Sequence, residues 1–223
     1  MFPRQQFVSK LITEVNSTIS KTNKAKFTTI QSKVYTFIQR SVTDTYPSDI
    51  LCFPHQEVTS NAIHPPWLIS LNPYHYDSKA SYVLSILIVK DRLPVHGWVF
   101  DNLSSNLLHA EKGGGAYVNG KRIFRDELMS LREAEMRIHS SFLRKSQPQN
   151  PAYQRVRQTE LPTSLEICGV AEGNTDIFLS INQTPYEFAA ASLIAKEAGV
   201  EVMTLEGEEL SWSKSSSIWC GMV

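Results

Sequence analysis

The sequence predicts a layered α/β protein with an α+β first half and an α/β second half. Three features carry that expectation. The chain opens with two amphipathic helical patterns, its middle holds one unbroken apolar run, and strand and helix patterns alternate after about residue 125. With 223 residues, 42% of them hydrophobic and 20% charged, it has enough apolar surface for a sizeable core. The pattern divides the chain into an N-terminal α+β lobe at residues 1–125 and a C-terminal α/β lobe at 126–223, packed as one compact unit.

Val8, Leu11, Ile12, Val15 and Ile19 recur at helical spacing, and so do Phe27, Ile30, Val34 and Phe37. In the second helix Thr28 and Gln31 have capping-box spacing, and Pro47 stops the pattern. Residues 50–81 read as turn-rich, with Pro54, Pro65, Pro66 and Pro73. The run from Tyr82 to Val89 then predicts a strand buried on both faces. Val95 to Phe100, Leu107 to Glu111 and Ala116 to Val118 continue as an antiparallel meander. Asn119-Gly120 supplies a hairpin turn, and Gly113 to Gly115 are read as a hairpin rather than a phosphate loop because no helix follows them.

In the second half, Met136 to His139 and Thr175 to Leu179 predict strands. Asn150-Pro151 predicts the start of a short helix, and Ser164 to Glu172 a helix closed by Gly173. Glu187 to Ala198 is the clearest helix, alanine-rich and stopped by Gly199.

Twenty-two basic residues balance twenty-two acidic ones, which argues against a broad nucleic-acid or anionic-lipid surface. The start, MFPRQQFVSKLITEV, has no signal-peptide core, and no stretch approaches the roughly 18–20 apolar residues that span a bilayer. Cys52, Cys168 and Cys220 are an odd number without ligand spacing. These features predict a soluble, cytoplasmic protein with no membrane partner and no clear nucleic-acid signal.

Three landmarks follow in order: Pro66-Trp67-Leu68-Ile69; Lys112 to Gly120 (KGGGAYVNG); and Thr184 to Ala191 (TPYEFAAA) leading into Ala195 to Gly199. This order resembles the inositol monophosphatase family, with its W-[IL]-[IV]-D-P-[IL]-D-G-T strand end, its G-x-G-A-[FY]-x-N-G hairpin and its W-D-x-A-A helix. Leu165 to Asp176 (LEICGVAEGNTD) is similar to a further family segment, and the likeness runs from about residue 5 to the C-terminus. The resemblance implies an inositol-monophosphatase-like layered αβαβα sandwich and Mg²⁺-dependent hydrolysis of phosphomonoesters. Carboxylates hold the metals there because Mg²⁺ is a hard ion that selects oxygen. Relatives of this kind are often homodimers.

Most of those carboxylates are missing. Where the resemblance places an aspartate in the second helix, this chain has Gln31. At the family's G-E-E it reads Phe53-Pro54-His55-Gln56-Glu57, so the ligand glutamate becomes Gln56, His55 or Pro54 and only Glu57 is acidic. Counted from Trp67 without a gap, the aspartates of D-P-[IL]-D become Ser70 and Pro73, and the following glycine becomes Tyr74. With a two-residue slide they become Asn72 and His75, and the nearest acid is Asp77. Losing the glycine matters because phosphate must approach bare backbone N–H groups there. The substrate-contacting glutamate becomes Ser180, and the W-D pair becomes Tyr186-Glu187.

Glu57, Asp77 and Glu187 are therefore the candidate metal ligands, read as vestigial. Glu57 and Asp77 read first as solvated loop acids. Glu187 sits three residues after Thr184 and reads first as a capping box. Cys52, His55, His64 and His75 match no zinc module, and no G-x-S-x-G is present. The expectation is a catalytically inactive family member, with weak or no Mg²⁺ binding, that binds a protein partner or a small phosphorylated ligand. Tyr74 and Tyr186 are expected to fill the phosphate region. The alternative is an active Mg²⁺-dependent phosphatase for inositol monophosphate or a nucleotide bisphosphate, using Glu57, Asp77 and Glu187 in a rearranged site.

Overall fold

The computed structural model describes residues 3–20, 26–54, 66–76, 79–126, 130, 132–141 and 155–222. Helices α1 (Pro3–Ser20) and α2 (Phe27–Thr45) lead into a seven-stranded sheet in simple chain order. Its strands are β1 (Ile50–Cys52), β2 (Pro66–Tyr76), β3 (Lys79–Lys90), β4 (Leu93–Asp101), β5 (Asn106–Glu111), β6 (Gly115–Val118) and β7 (Lys121–Ile123). All neighbours are antiparallel except β1 and β2.

The second half carries β8 (Met136–His139), β9 (Val156–Thr159), α3 (Thr163–Glu172), β10 (Ile177–Gln183), α4 (Pro185–Glu197), β11 (Glu201–Met203) and β12 (Ser216–Gly221). Its five strands lie in the order β11-β12-β10-β8-β9, with β8 parallel to both of its neighbours. The helix expected at Asn150-Pro151 lies outside the described residues.

The apolar run read as a doubly buried strand is β3. Leu84, Ile86 and Ile88 face one way, packing with Val8, Leu11 and Ile12 of α1, Ile38 of α2 and Trp67 and Trp98 of the sheet. Val83, Leu87 and Val89 face the other way, into α3, α4 and the second sheet through Ile167, Phe188, Ile194, Phe178 and Ile218. Alternate side chains of a strand point to opposite faces, so one strand joins both cores. The described residues thus stack as α1–α2, the large sheet, α3–α4 and the smaller sheet.

Helix α4 fits between the sheets because its inner face is small: Ala189, Ala190, Ala191 and Ala195 are all buried. On the opposing strand Gly97 allows the closest approach. A Cβ built there would lie 2.8 Å from the Ala190 carbonyl oxygen.

Two local expectations change. Residues 66–76 form a regular strand rather than turns, paired with β3 all the way to Tyr76 opposite Lys79. The Thr28–Gln31 capping box does not form. Lys26 is the N-cap of α2 and Thr28 lies inside the helix, which leaves Gln31 free to reach β2. The glycine turn is a hairpin as expected, and its Gly113 and Gly115 N–H groups donate to the Glu197 carboxylate at 2.7 and 3.0 Å.

Asp49 fastens α1 to the sheet. Arg4 Nη2 donates to both of its oxygens, at 3.0 and 2.8 Å, and the Trp67 indole donates to Oδ2 at 2.8 Å. The Asp49 side chain is only 5% exposed. Asp49→Ala would leave a buried indole N–H and a guanidinium without their acceptor, at an expected cost of about 3 kcal/mol. Urea denaturation measures this, and an unchanged midpoint would contradict it.

Candidate functional site

Four of the residues that the sequence placed at the phosphate and metal site, Gln31, Ser70, Tyr186 and Glu187, lie where β2, α2 and the first turn of α4 meet. Ser70 is 1% exposed, and its hydroxyl donates to the Tyr186 carbonyl at 2.7 Å. Ser70, counted without a gap from Trp67, is therefore the residue that reaches the turn holding Glu187. Asn72 and His75 lie further along the strand, opposite Val83 and Ala80, and His75 is exposed.

The outer edge of β2 is closed by α2. The Leu71 N–H donates to the Tyr35 hydroxyl at 3.0 Å, and the Leu71 carbonyl accepts from Gln31 Nε2 at 3.0 Å. Gln31 Nε2 also lies 3.3 Å from the Tyr35 hydroxyl. In an antiparallel strand both main-chain groups of a residue point the same way and successive residues point oppositely. Pro73, two residues after Leu71, therefore turns its missing N–H to that same outer edge, away from β3, where no ladder bond is lost. The stretch expected to offer bare N–H groups to a phosphate is instead a paired strand.

The first turn of α4 is also closed. Thr184 is the N-cap, Pro185 follows, and the Glu187 carboxylate accepts from the Thr184 N–H at 2.7 Å and from its hydroxyl at 2.9 Å. Both bonds use Oε2, so the cap takes one of the two carboxylate oxygens.

Tyr186 lies beside Cys52 and Tyr35. Burial, and then those two neighbours, push its phenol well above the ordinary tyrosine range. Burial likewise raises the Tyr35 phenol, partly offset by its bonds to Leu71 and Gln31, and it raises the Cys52 thiol. A thiol held protonated is a poor ligand. Ser180 is fully buried and its hydroxyl has no partner among the described residues.

Tyr74 turns elsewhere. Its hydroxyl donates to Asp101, whose oxygens also accept the Leu103 N–H and the Ser104 N–H and hydroxyl. This pair lines a cleft of about 330 Å³ against α3, where burial and then the Asp101 charge raise the Glu172 carboxyl above the usual glutamate range.

Of the three candidate ligands only Glu187 is described; Glu57 and Asp77, like His55 and His64, lie outside the described residues. Among the described residues no group of three or more His, Cys, Asp and Glu side chains is placed to hold a metal ion. The donor chemistry agrees. Gln31 and Ser70 direct N–H and O–H groups at carbonyls, and Glu187 has one oxygen outside its cap, whereas Mg²⁺ takes about six oxygen ligands. The described set does not fit Mg²⁺.

Sequence reading missed Tyr35 as the second half of the strut on Leu71. The available signal was its i+4 spacing from Gln31, which puts both on one helix face.

The fold superposes on solved inositol monophosphatases. Inositol monophosphatase II from Staphylococcus aureus superposes with a TM-score of 0.80 at 21% identity, covering 99% of this chain and 91% of that one. A dual-specific IMPase/NADP phosphatase bound with D-inositol-1-phosphate gives a TM-score of 0.82 at 15% identity, covering 97% and 89%. At these identities the likeness concerns the fold alone.

Sequence supplies the rest: residues 78–221 match the inositol monophosphatase family, and the chain belongs to it. The inositol-1-monophosphatase of Bacillus subtilis is 26% identical over 148 residues, 63% of this chain and 56% of that protein. The fructose-1,6-bisphosphatase/inositol-1-monophosphatase of Aquifex aeolicus is 31% identical over 137 residues, 57% and 51% respectively. The chain thus spans about half the length of these two curated relatives. The putative Nus factor SuhB of Neisseria meningitidis serogroup B matches over 195 residues at 26% identity, 74% of this chain and 70% of that protein.

No helix among the described residues is long and apolar enough to cross a membrane.

Proposed function

We propose that this chain is a non-catalytic member of the inositol monophosphatase family that acts by binding, with a protein partner or a small phosphorylated ligand as its target. The observation that carries this reading is the Ser70–Tyr186 hydrogen bond. It joins the position of the first family aspartate to the turn bearing Glu187, by a contact that an aspartate and a metal would have to replace. The paired strand from Ser70 to Tyr76 and the capping role of Glu187 support the same reading. A relative named as a factor rather than as a phosphatase, the SuhB protein of Neisseria, supports the partner-binding form of it.

Thermal and urea denaturation with and without excess Mg²⁺ test the proposal. Binding to the folded state raises stability with ligand concentration, so Mg²⁺ is expected to leave the wild-type curve unmoved. Glu187→Ala, which removes the capping box, is expected to cost about 1 kcal/mol equally in both conditions. Stabilisation by Mg²⁺ that the variant abolishes would make Glu187 a metal ligand and overturn the proposal.

A further inference from the structure

A second cavity of about 440 Å³ opens along α4, from Phe188 to Glu197, between that helix, the β3–β4 turn and the segment 209–212. None of the residues discussed for the phosphate site lines it. Its floor is apolar, made by Phe188, Leu193 and Leu210, and Trp212 forms a wall. The wall is fixed, because the Trp212 indole donates to the Arg92 carbonyl at 2.8 Å. Arg92 sits in the left-handed turn Asp91-Arg92, with φ of 50° and 63°, which directs that carbonyl across the hairpin end.

The polar groups of this cavity are unevenly matched. Lys112, Lys196 and Arg92 line it, together with Glu197 and Glu209. Lys112 and Lys196 are exposed at the rim. The Glu197 carboxylate is already engaged by the Gly113 and Gly115 N–H groups, which leaves Glu209 as the other acid beside Lys112 and Lys196. In the lining lies Ser192, 7% exposed, whose buried hydroxyl has no partner among the described residues. A buried hydroxyl without a partner is unfavourable unless a ligand or a water satisfies it.

We propose that this cavity binds a small aromatic carboxylate. Its ring system would lie on the apolar floor against Trp212, its carboxylate would meet Lys112 and Lys196, and the Ser192 hydroxyl would gain an acceptor. The volume is within the range of small-molecule sites, about 300–1,000 Å³, which combine an apolar lining with a few convergent polar groups.

Saturation-transfer NMR titrations with 2-naphthoate, 2-naphthylmethanol and 2-naphthylmethylammonium test the assignment. 2-Naphthoate is expected to bind about tenfold more tightly than the alcohol, the gain of two partly exposed charge contacts, and the ammonium more weakly than either. In Lys112→Ala/Lys196→Ala, whose replaced side chains are exposed and leave the core intact, 2-naphthoate should fall to the level of the alcohol. Ser192→Leu, checked for an unchanged circular dichroism spectrum, should abolish binding of all three by filling the cavity. Equal binding of the three probes, or 2-naphthoate binding that survives the lysine variant unchanged, would overturn the proposal.

Discussion

Ser70→Asp, which supplies the aspartate that the ungapped count from Trp67 puts at this position, is expected to destabilise the protein by about 3 kcal/mol or more and to restore no activity. Ser70 is 1% exposed and acts as a donor to the Tyr186 carbonyl. A carboxylate cannot donate, so the substitution sets a buried negative charge against a carbonyl oxygen, with Glu187 on the next residue. Ser70→Ala is the control. It removes the donor without adding charge and should cost about 1 kcal/mol. Urea denaturation of the two variants separates the outcomes. If Ser70→Asp is as stable as the wild type, and more so in Mg²⁺, the turn is still built for a metal and the structural account of Ser70 is wrong.

Gly97→Ala should have an effect of similar size for a packing reason. Glycine within a strand weakens it unless close approach demands it, and here it does. The added methyl would stand 2.8 Å from the Ala190 oxygen, a backbone atom in the middle of α4 that has no rotamer by which to move aside. Overpacking of this kind typically costs about 1–3 kcal/mol, and a main-chain clash places Gly97→Ala near the upper end. The midpoint of urea unfolding should fall with its slope unchanged. A midpoint within error of the wild type would mean that α4 lies further from β4 than described.

The contrast between two capping boxes shows which features were legible in the sequence. Thr184–Glu187 and Thr28–Gln31 have the same spacing. The first forms because Pro185 fixes the first helical position and the Glu187 carboxylate finds its acceptor role within four residues of chain. The second does not form. Gln31 is claimed by the Leu71 carbonyl, a contact across forty residues that no local pattern reports. The same strut explains why residues 66–76 form a strand although their sequence predicts turns. Pro73 and Asn72 are strand breakers in isolation, and only the Leu71 contacts to α2 show that the Pro73 nitrogen faces the outer edge.

Helix α4 and strand β3 were readable because each announces itself within a dozen residues, by alanine content and an unbroken apolar run. The scarcity of acids at the motif positions was equally plain in the sequence. The fate of the vacated positions was not, since Ser70 meets Tyr186 across 116 residues. Tyr74, expected in the phosphate region, instead turns its hydroxyl to Asp101 because of its place in the β2 ladder.

Phosphate release by the purified protein in excess Mg²⁺ tests the central claim most directly. Inositol monophosphate, adenosine bisphosphate and fructose bisphosphate would be the substrates, with Glu187→Ala assayed in parallel to measure contaminating activity. The account predicts no release by the folded wild-type protein above that of the variant. Release by the wild type that disappears in Glu187→Ala would contradict it and establish a working metal-dependent phosphatase.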